Sequence, residues 1–235
     1  MAYTNIDDPS AYFQIALYTG NSGTLAVTND GNSDLQPDWV WTKKRSDTSH
    51  HALVDSSRGA TKQIYSNLTA AEETVSGVTA FNTDGFTLGS NGTANLNGAT
   101  FVGWQWKANG GTTATNNDGS TTSTVQANTT AGFSIITYTG TGSETTFGHG
   151  LGVAPEVIIA KKRGGSASWV VWFKAFNNSD GYLVLNATDS IEEATTIFTN
   201  TDPTSSVITL GSSSTVNQNT VTHLMYAFAS KQGYS

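Results

Sequence analysis

Four histidines and two pairs of adjacent glutamates are the residues of this 235-residue chain that first invite a chemical reading. His50, His51, His149 and His223 form no His-x-x-x-His pair and have no carboxylate at ligand spacing, so no metal is expected. His50 and His51, adjacent on an extended segment, would point to opposite faces, poor geometry for joint ligation. His149 sits in the glycine-rich loop "FGHGLG". Glu72-Glu73 and Glu192-Glu193 are the clustered carboxylates, and two carboxylates across a groove could cleave a glycoside. Both pairs fall in short segments, "TAAEE" and "DSIEE", that read as single helical turns with solvated side chains. There is no Gly-x-Ser-x-Gly elbow and no phosphate-cradling loop leading into a helix. "NDGNSD" (29–34) and "NNDGS" (116–120) are oxygen-rich but do not match the twelve-residue calcium loop and read as turns. No catalytic residue, metal or cofactor is assigned, and the chain is read as acting by binding.

The elements that must position any site are legible because the chain repeats itself. "PDWVWTKKR" from Pro37 is echoed by "PEVIIAKKR" from Pro155, and "YFQIALYTGNSG" (12–23) by "GFSIITYTGTGS" (132–143). "SNLTAAEE" answers "LNATDSIEE", "DGFTLGS" answers "SSVITLGS", and "TFVGWQWKA" (100–108) answers "THLMYAFAS" (222–230). Landmarks in one order at a nearly constant offset indicate an internal duplication. The boundaries follow: a first unit over 1–106, a Gly/Thr/Asn-rich linker over 107–131, and a second unit over 132–235. "GYS" at 233–235 resembles the "GFS" that opens the second unit, so a third unit would begin there.

Within each unit apolar residues alternate. Val102, Trp104 and Trp106 share a face, as do Leu224, Tyr226 and Phe228, and Trp39 and Trp41 match Val157 and Ile159. Asp84-Gly85 lies between "VTAF" and "FTLG" as a hairpin signal. Many short strands with frequent turns predict an all-β protein of two tandem β-sandwich or jelly-roll-like domains. The repeated phrase is then an equivalent core strand in each. Lys43, Lys44 and Arg45 mark where that strand leaves for solvent.

The alignment of the copies places His51 and Asp55 opposite Trp169 and Phe173. If these positions face water, Trp169 and Phe173 form an exposed aromatic pair that could stack on a sugar or contact a partner; otherwise they pack an extra layer. They are the candidate contact residues. Composition narrows the partners. Charged residues make up 12% of the chain, against about 25% in an average protein, and the net charge of −7 argues against nucleic acid. No apolar run is long enough to cross a membrane, the amino-terminal residues have no signal-peptide pattern, and cysteine is absent.

"YTNIDDPSAYFQIALYTGN", "LQPDWVWTKKR", "FNTDGFTLGS", "FVGWQWKANGG" and "TVQANTTAGFSIITYTGTG" together resemble a repeat domain of virion proteins from marine tailed bacteriophages, cyanophages in particular. The resemblance spans essentially the whole chain. It implies a structural protein of the virion, commonly a tail fibre or appendage component, whose partners are other virion proteins and a host-surface glycan. It also implies a homo-oligomer, a trimer by analogy with fibres. It supplies no catalytic or ligand residues. The alternatives left open are a capsid decoration protein, a carbohydrate-binding module built on Trp169 and Phe173, and a glycan-cleaving enzyme.

Overall fold

A computed structural model describes residues 4–235 apart from 177, 233 and 235. The start of a third unit at Gly233 thus lies largely outside the described residues. The protein is all-β, with antiparallel sheets and, among the described residues, two single-turn α-helices and two 3-10 turns. The chain divides into two compact units. One comprises the described residues up to Leu68 together with Glu72–Gly111, and the other Thr69–Ala71 with the described residues from Thr112 onward.

The first unit contains β1 (Phe13–Thr19), β2 (Leu25–Val27), β3 (Trp39–Lys44), β4 (His51–Asp55), β5 (Lys62–Tyr65), β6 (Glu73–Thr74), β7 (Val78–Phe81), β8 (Phe86–Leu88), the turn α1 (Gly92–Asn95) and β9 (Thr100–Trp106). Six of these strands form one sheet in the order β1-β9-β3-β4-β5-β6, and β2-β8-β7 form another. β7 and β8 pair as the hairpin expected around Asp84-Gly85, with Gly85 at φ +93°. Alternate residues of the large sheet (Ala16, Val40, Val54) meet Val27, Val78, Phe86 and Leu88 of the small one in a single core cluster. Two layers closing on one apolar interior make a β-sandwich.

The second unit contains β10 (Ala114–Asn116), β11 (Ser123–Asn128), β12 (Phe133–Thr139), β13 (Thr145–Gly148), β14 (Val157–Lys162), β15 (Val170–Phe173), β16 (Gly181–Val184), β17 (Glu192–Glu193), β18 (Val207–Leu210), the turn α2 (Ser214–Asn217) and β19 (Thr222–Phe228). Its large sheet runs β10-β11-β12-β19-β14-β15-β16-β17, with β13-β18 as the second layer. Ile136, Ile158, Val170 and Met225 meet Phe147, Ile208 and Leu210 in its core.

From β1 to β6 and from β12 to β17 the strand orders agree position for position. The registers agree too. Trp39 faces Trp106 and Asp55, as Val157 faces Phe228 and Phe173. Asp38 N–H donates to Trp106 O (2.8 Å), and Glu156 N–H donates to Phe228 O (2.7 Å). The phrase from Pro37 and its echo from Pro155 therefore occupy the same strand in the two units.

Three expectations need correction. The segment 107–131 is not a linker. Lys107 to Gly111 belong to the first unit, where the Asp38 carboxylate accepts from the N–H groups of Ala108, Gly110 and Gly111 (2.7, 2.8 and 2.7 Å) and from Ser56 Oγ (2.7 Å). Gly110 and Gly111 make this clasp at φ +61° and +79°, where glycine is favoured. Residues 114–128 form β10 and β11, whose hydroxyl-rich composition disguised two strands at the edge of a sheet. Next, "TAAEE" and "DSIEE" are not helical: Glu73–Thr74 pairs with β5 and Glu192–Glu193 with β16. Finally, the repeated phrase is a core strand as expected, with Trp39 only 1% exposed, but its tryptophan face is not the one that meets the second sheet. Val40 lies in the core cluster, and its neighbours Trp39 and Trp41 point to the opposite face, as strand alternation requires.

Candidate functional site

On that opposite face of the first unit, β9 and β3 line up their aromatics. Trp106 stacks on Trp39 (ring centroids 4.3 Å, 29°), Phe13 packs on Trp106 (5.0 Å), and Trp41 meets Trp104 edge-on (6.1 Å). Trp41 Nε1 donates to His51 Nδ1 (3.3 Å), so that ring nitrogen is the unprotonated one and burial lowers the His51 pKa.

At the end of β4 sits a buried ion cluster. Arg58 pairs with Asp55 and, at 2.9 Å, with Glu72, and also donates to the carbonyls of Lys62 (2.9 Å) and Leu53 (3.2 Å). One fixed cation is shared by two carboxylates, an arrangement that serves architecture rather than proton transfer. Glu72 is thus held in an ion pair, and Glu73 is the solvated member of that couple. The other pair, Glu192-Glu193, is exposed.

His149 and His223 are also held by bonds to the backbone. His149 Nδ1 accepts from Leu151 N–H (3.2 Å), which puts the proton on Nε2, 3.2 Å from Thr204 O. His223 Nε2 accepts from Gln218 N–H (3.1 Å), its ring stacks on Tyr138 (5.2 Å), and burial pushes its pKa down to about 4. Among the described residues no group of three or more His, Cys, Asp or Glu could hold a metal.

Of the two residues singled out by sequence, Trp169 is 0% exposed and Phe173 is 40% exposed. The alignment behind them holds, since the strand register puts Trp169 where His51 stands and Phe173 where Asp55 stands. The shared exposure does not. Trp169 donates its N–H to Asn186 Oδ1 (2.7 Å) and buries its indole, the usual fate of so large an apolar surface. The pair offers one open ring, not two. Phe173 lines a hollow of about 200 Å³ with Val157, Phe228 and Glu156.

A larger feature lies at the other end of the same sheet. An open groove of about 490 Å³ is lined by Ser120, Thr121, Thr122, Ser123, Thr124, Thr137, Tyr138, Thr139, Arg163 and Thr222. The register explains the composition. Thr124 faces Thr137, Thr139 faces Thr222, and Arg163 follows β14 with its N–H on Thr222 O (3.0 Å). Hydroxyls thus stand in line across three strands and end at a guanidinium. Every hydroxyl can donate or accept, and the guanidinium supplies a charge matched to carboxylate geometry. The first unit repeats the frame, with Thr19 facing Thr100 and Arg45 N–H on Thr100 O (2.7 Å), but Leu17 replaces Thr137 and, among the described residues, no strand corresponds to β11.

A family model, described as a domain of unknown function, DUF7483, matches residues 8–235. The chain belongs to the DUF7483 family. No curated protein and no solved structure matches it. In this DUF7483 chain the match runs across both units, so the family is defined over the pair and not over one sandwich.

The signal for the groove was in the sequence: threonines alternate in "TTSTV" and "ITYT", the pattern of a strand with one hydroxylated face. Reading the first of these as linker hid the fact that the two would pair.

Proposed function

We propose that this DUF7483 chain is a structural protein of a bacteriophage particle, an appendage component built from two copies of one β-sandwich unit, and that it acts by binding. The single observation that carries the binding role is the groove at Arg163. Its volume falls within the range of small-ligand sites, and its walls are hydrogen-bonding hydroxyls around one cation. A polyhydroxylated ligand bearing a carboxylate, such as an acidic host-surface glycan, satisfies both features. The virion setting is supported by the resemblance of "YTGN", "PDWVWTKKR" and "GWQWKANGG" to phage repeat proteins.

Immunogold labelling of intact virions tests the setting: gold on the tail or its fibres is expected, and gold spread over the head would replace this reading with capsid decoration. Glycan binding tests the mode. Arg163→Ala is expected to lower affinity for acidic glycans at least tenfold while circular dichroism is unchanged. Release of reducing ends from host polysaccharide would overturn binding without turnover.

A further inference from the structure

Strands at the ends of sheets carry unpaired N–H and C=O groups, and proteins keep such edges short, charged or bulged. Most edges here follow that practice. β6 and β17 are two residues long and carry Glu73, Glu192 and Glu193; β10 has three residues, and β7 carries an irregularity at Val78/Ala80. β1 is different. It is the outermost strand of its sheet, seven residues long, with the sequence Phe-Gln-Ile-Ala-Leu-Tyr-Thr, free of charge and proline. Ile15 is 49% exposed and Leu17 is 65% exposed.

The backbone says which groups are on offer. Lys107 N–H donates to Tyr12 O and Gly20 N–H to Ala99 O, so the even-numbered residues of β1 bond to β9. Alternation then turns the N–H and C=O of Phe13, Ile15, Leu17 and Thr19 outward. The second unit shows what such an edge takes. Its equivalent strand, β12, is covered on that side by β11, antiparallel, with Ile135 facing Gln126 and Thr137 facing Thr124.

We infer that the β1 edge pairs antiparallel with the β1 edge of a second copy of this chain. The strand is self-complementary about Ala16. A two-fold axis there sets Ile15 opposite Leu17 of the second copy, and Leu17 opposite its Ile15, as hydrogen-bonded pairs on the exposed face. Both apolar cross-strand pairs leave water and the two six-stranded sheets become one. Two copies also present two grooves, which strengthens weak multivalent contacts. The pairing is two-fold, unlike the three-fold assembly that the fibre analogy implies.

The test is the mass of the full chain by light scattering at micromolar to sub-millimolar concentration, with circular dichroism as a check on folding. The wild type is expected to run as two copies and Leu17→Lys as one. The double variant Ile15→Glu, Leu17→Lys is expected to run as two again, because each introduced carboxylate then faces an introduced ammonium across the two-fold axis. If Leu17→Lys fails to fold, Leu17→Thr, which matches Thr137 of the second unit, is expected to raise the dimer dissociation constant at least tenfold. A wild type that stays a single chain overturns the proposal, as does an assembly, trimeric or other, that Leu17→Lys and Leu17→Thr leave intact. A folded double variant that stays monomeric also overturns it. So does a monomeric wild type that binds a peptide of residues 121–131, since the edge would then take a foreign strand.

Discussion

Asn95 and Asn217 hold the same place in their units: each is fully buried, closes a one-turn helix and pins the loop after the first long strand. Asn95 Oδ1 accepts from Asn21 N–H (2.8 Å), and its Nδ2 donates to Gly23 O and Gly89 O (both 2.7 Å). Asn217 Oδ1 accepts from Thr141 N–H (2.8 Å), and its Nδ2 donates to Ser143 O (2.6 Å) and Gly211 O (2.8 Å). Tyr18 and Tyr138 complete each knot with hydroxyl bonds to Ala94 O (2.9 Å) and Val216 O (2.6 Å), and burial raises both phenol pKa values. Replacing Asn217 by Ala removes the partner of the Thr141 N–H and of the Ser143 and Gly211 carbonyls, so a loss of about 3 kcal/mol is expected in urea denaturation. Asn217→Asp should cost no less, since it removes both donors and leaves an acceptor facing two carbonyls.

The glycines of the same knots leave no room for a side chain. A Cβ on Gly20 would lie 2.3 Å from Leu96 O, and one on Gly140 2.3 Å from Gln218 O. Both neighbours are backbone, so neither can swing aside. Gly140→Ala is expected to lower stability by about 2–3 kcal/mol, read as a drop in thermal midpoint.

Arg58 is the cation of a buried cluster, and removing one partner there leaves an uncompensated charge. Arg58→Ala is expected to cost about 3–5 kcal/mol. Arg58→Lys should not restore it, because a single ammonium cannot reach two carboxylates and two carbonyls at once. Chemical denaturation of the three proteins side by side checks both statements.

His223 makes stability depend on pH. Its pKa falls from 6.5 unfolded to about 4 folded, because burial disfavours the charged ring and Lys162 and Lys161 oppose it further. Between those values the unfolded chain binds the extra proton. The contribution is therefore complete above pH 6.5 and declines by about 1.4 kcal/mol per unit as pH falls towards 4. His149, also buried, shifts in the same direction. Unfolding free energies measured from pH 7 to pH 4.5 should fall, and His223→Gln should flatten part of that fall.

What could be read from residues alone depended on how local the determining contact was. Alternation in "WVWTKK" and the Asp84-Gly85 turn are decided within a few residues, and both led to the right element. The sandwich face of β3 could not be told, because Val40 and its tryptophan neighbours are all apolar and only the facing sheet breaks the tie. Helical propensity misled at "TAAEE", where Arg58 and the pairing of Glu73 with Gln63 hold the chain extended. The single-turn helices were signalled instead by the caps Asn91 and Ser213, whose side chains accept from Thr93 and Thr215. The groove escaped because its hydroxyls come from strands that meet only after folding, and the choice between an open and a packed Trp169 stayed undecided because exposure is not a property of sequence position.

The first and last long strands of each unit lie side by side, Phe13 beside Trp106 and Phe133 beside Phe228. In the first unit the chain therefore leaves beside the strand by which it entered, whereas the second unit is entered through β10 and β11. Joining those neighbouring ends of the first unit and opening the chain at another loop should leave that sandwich able to close.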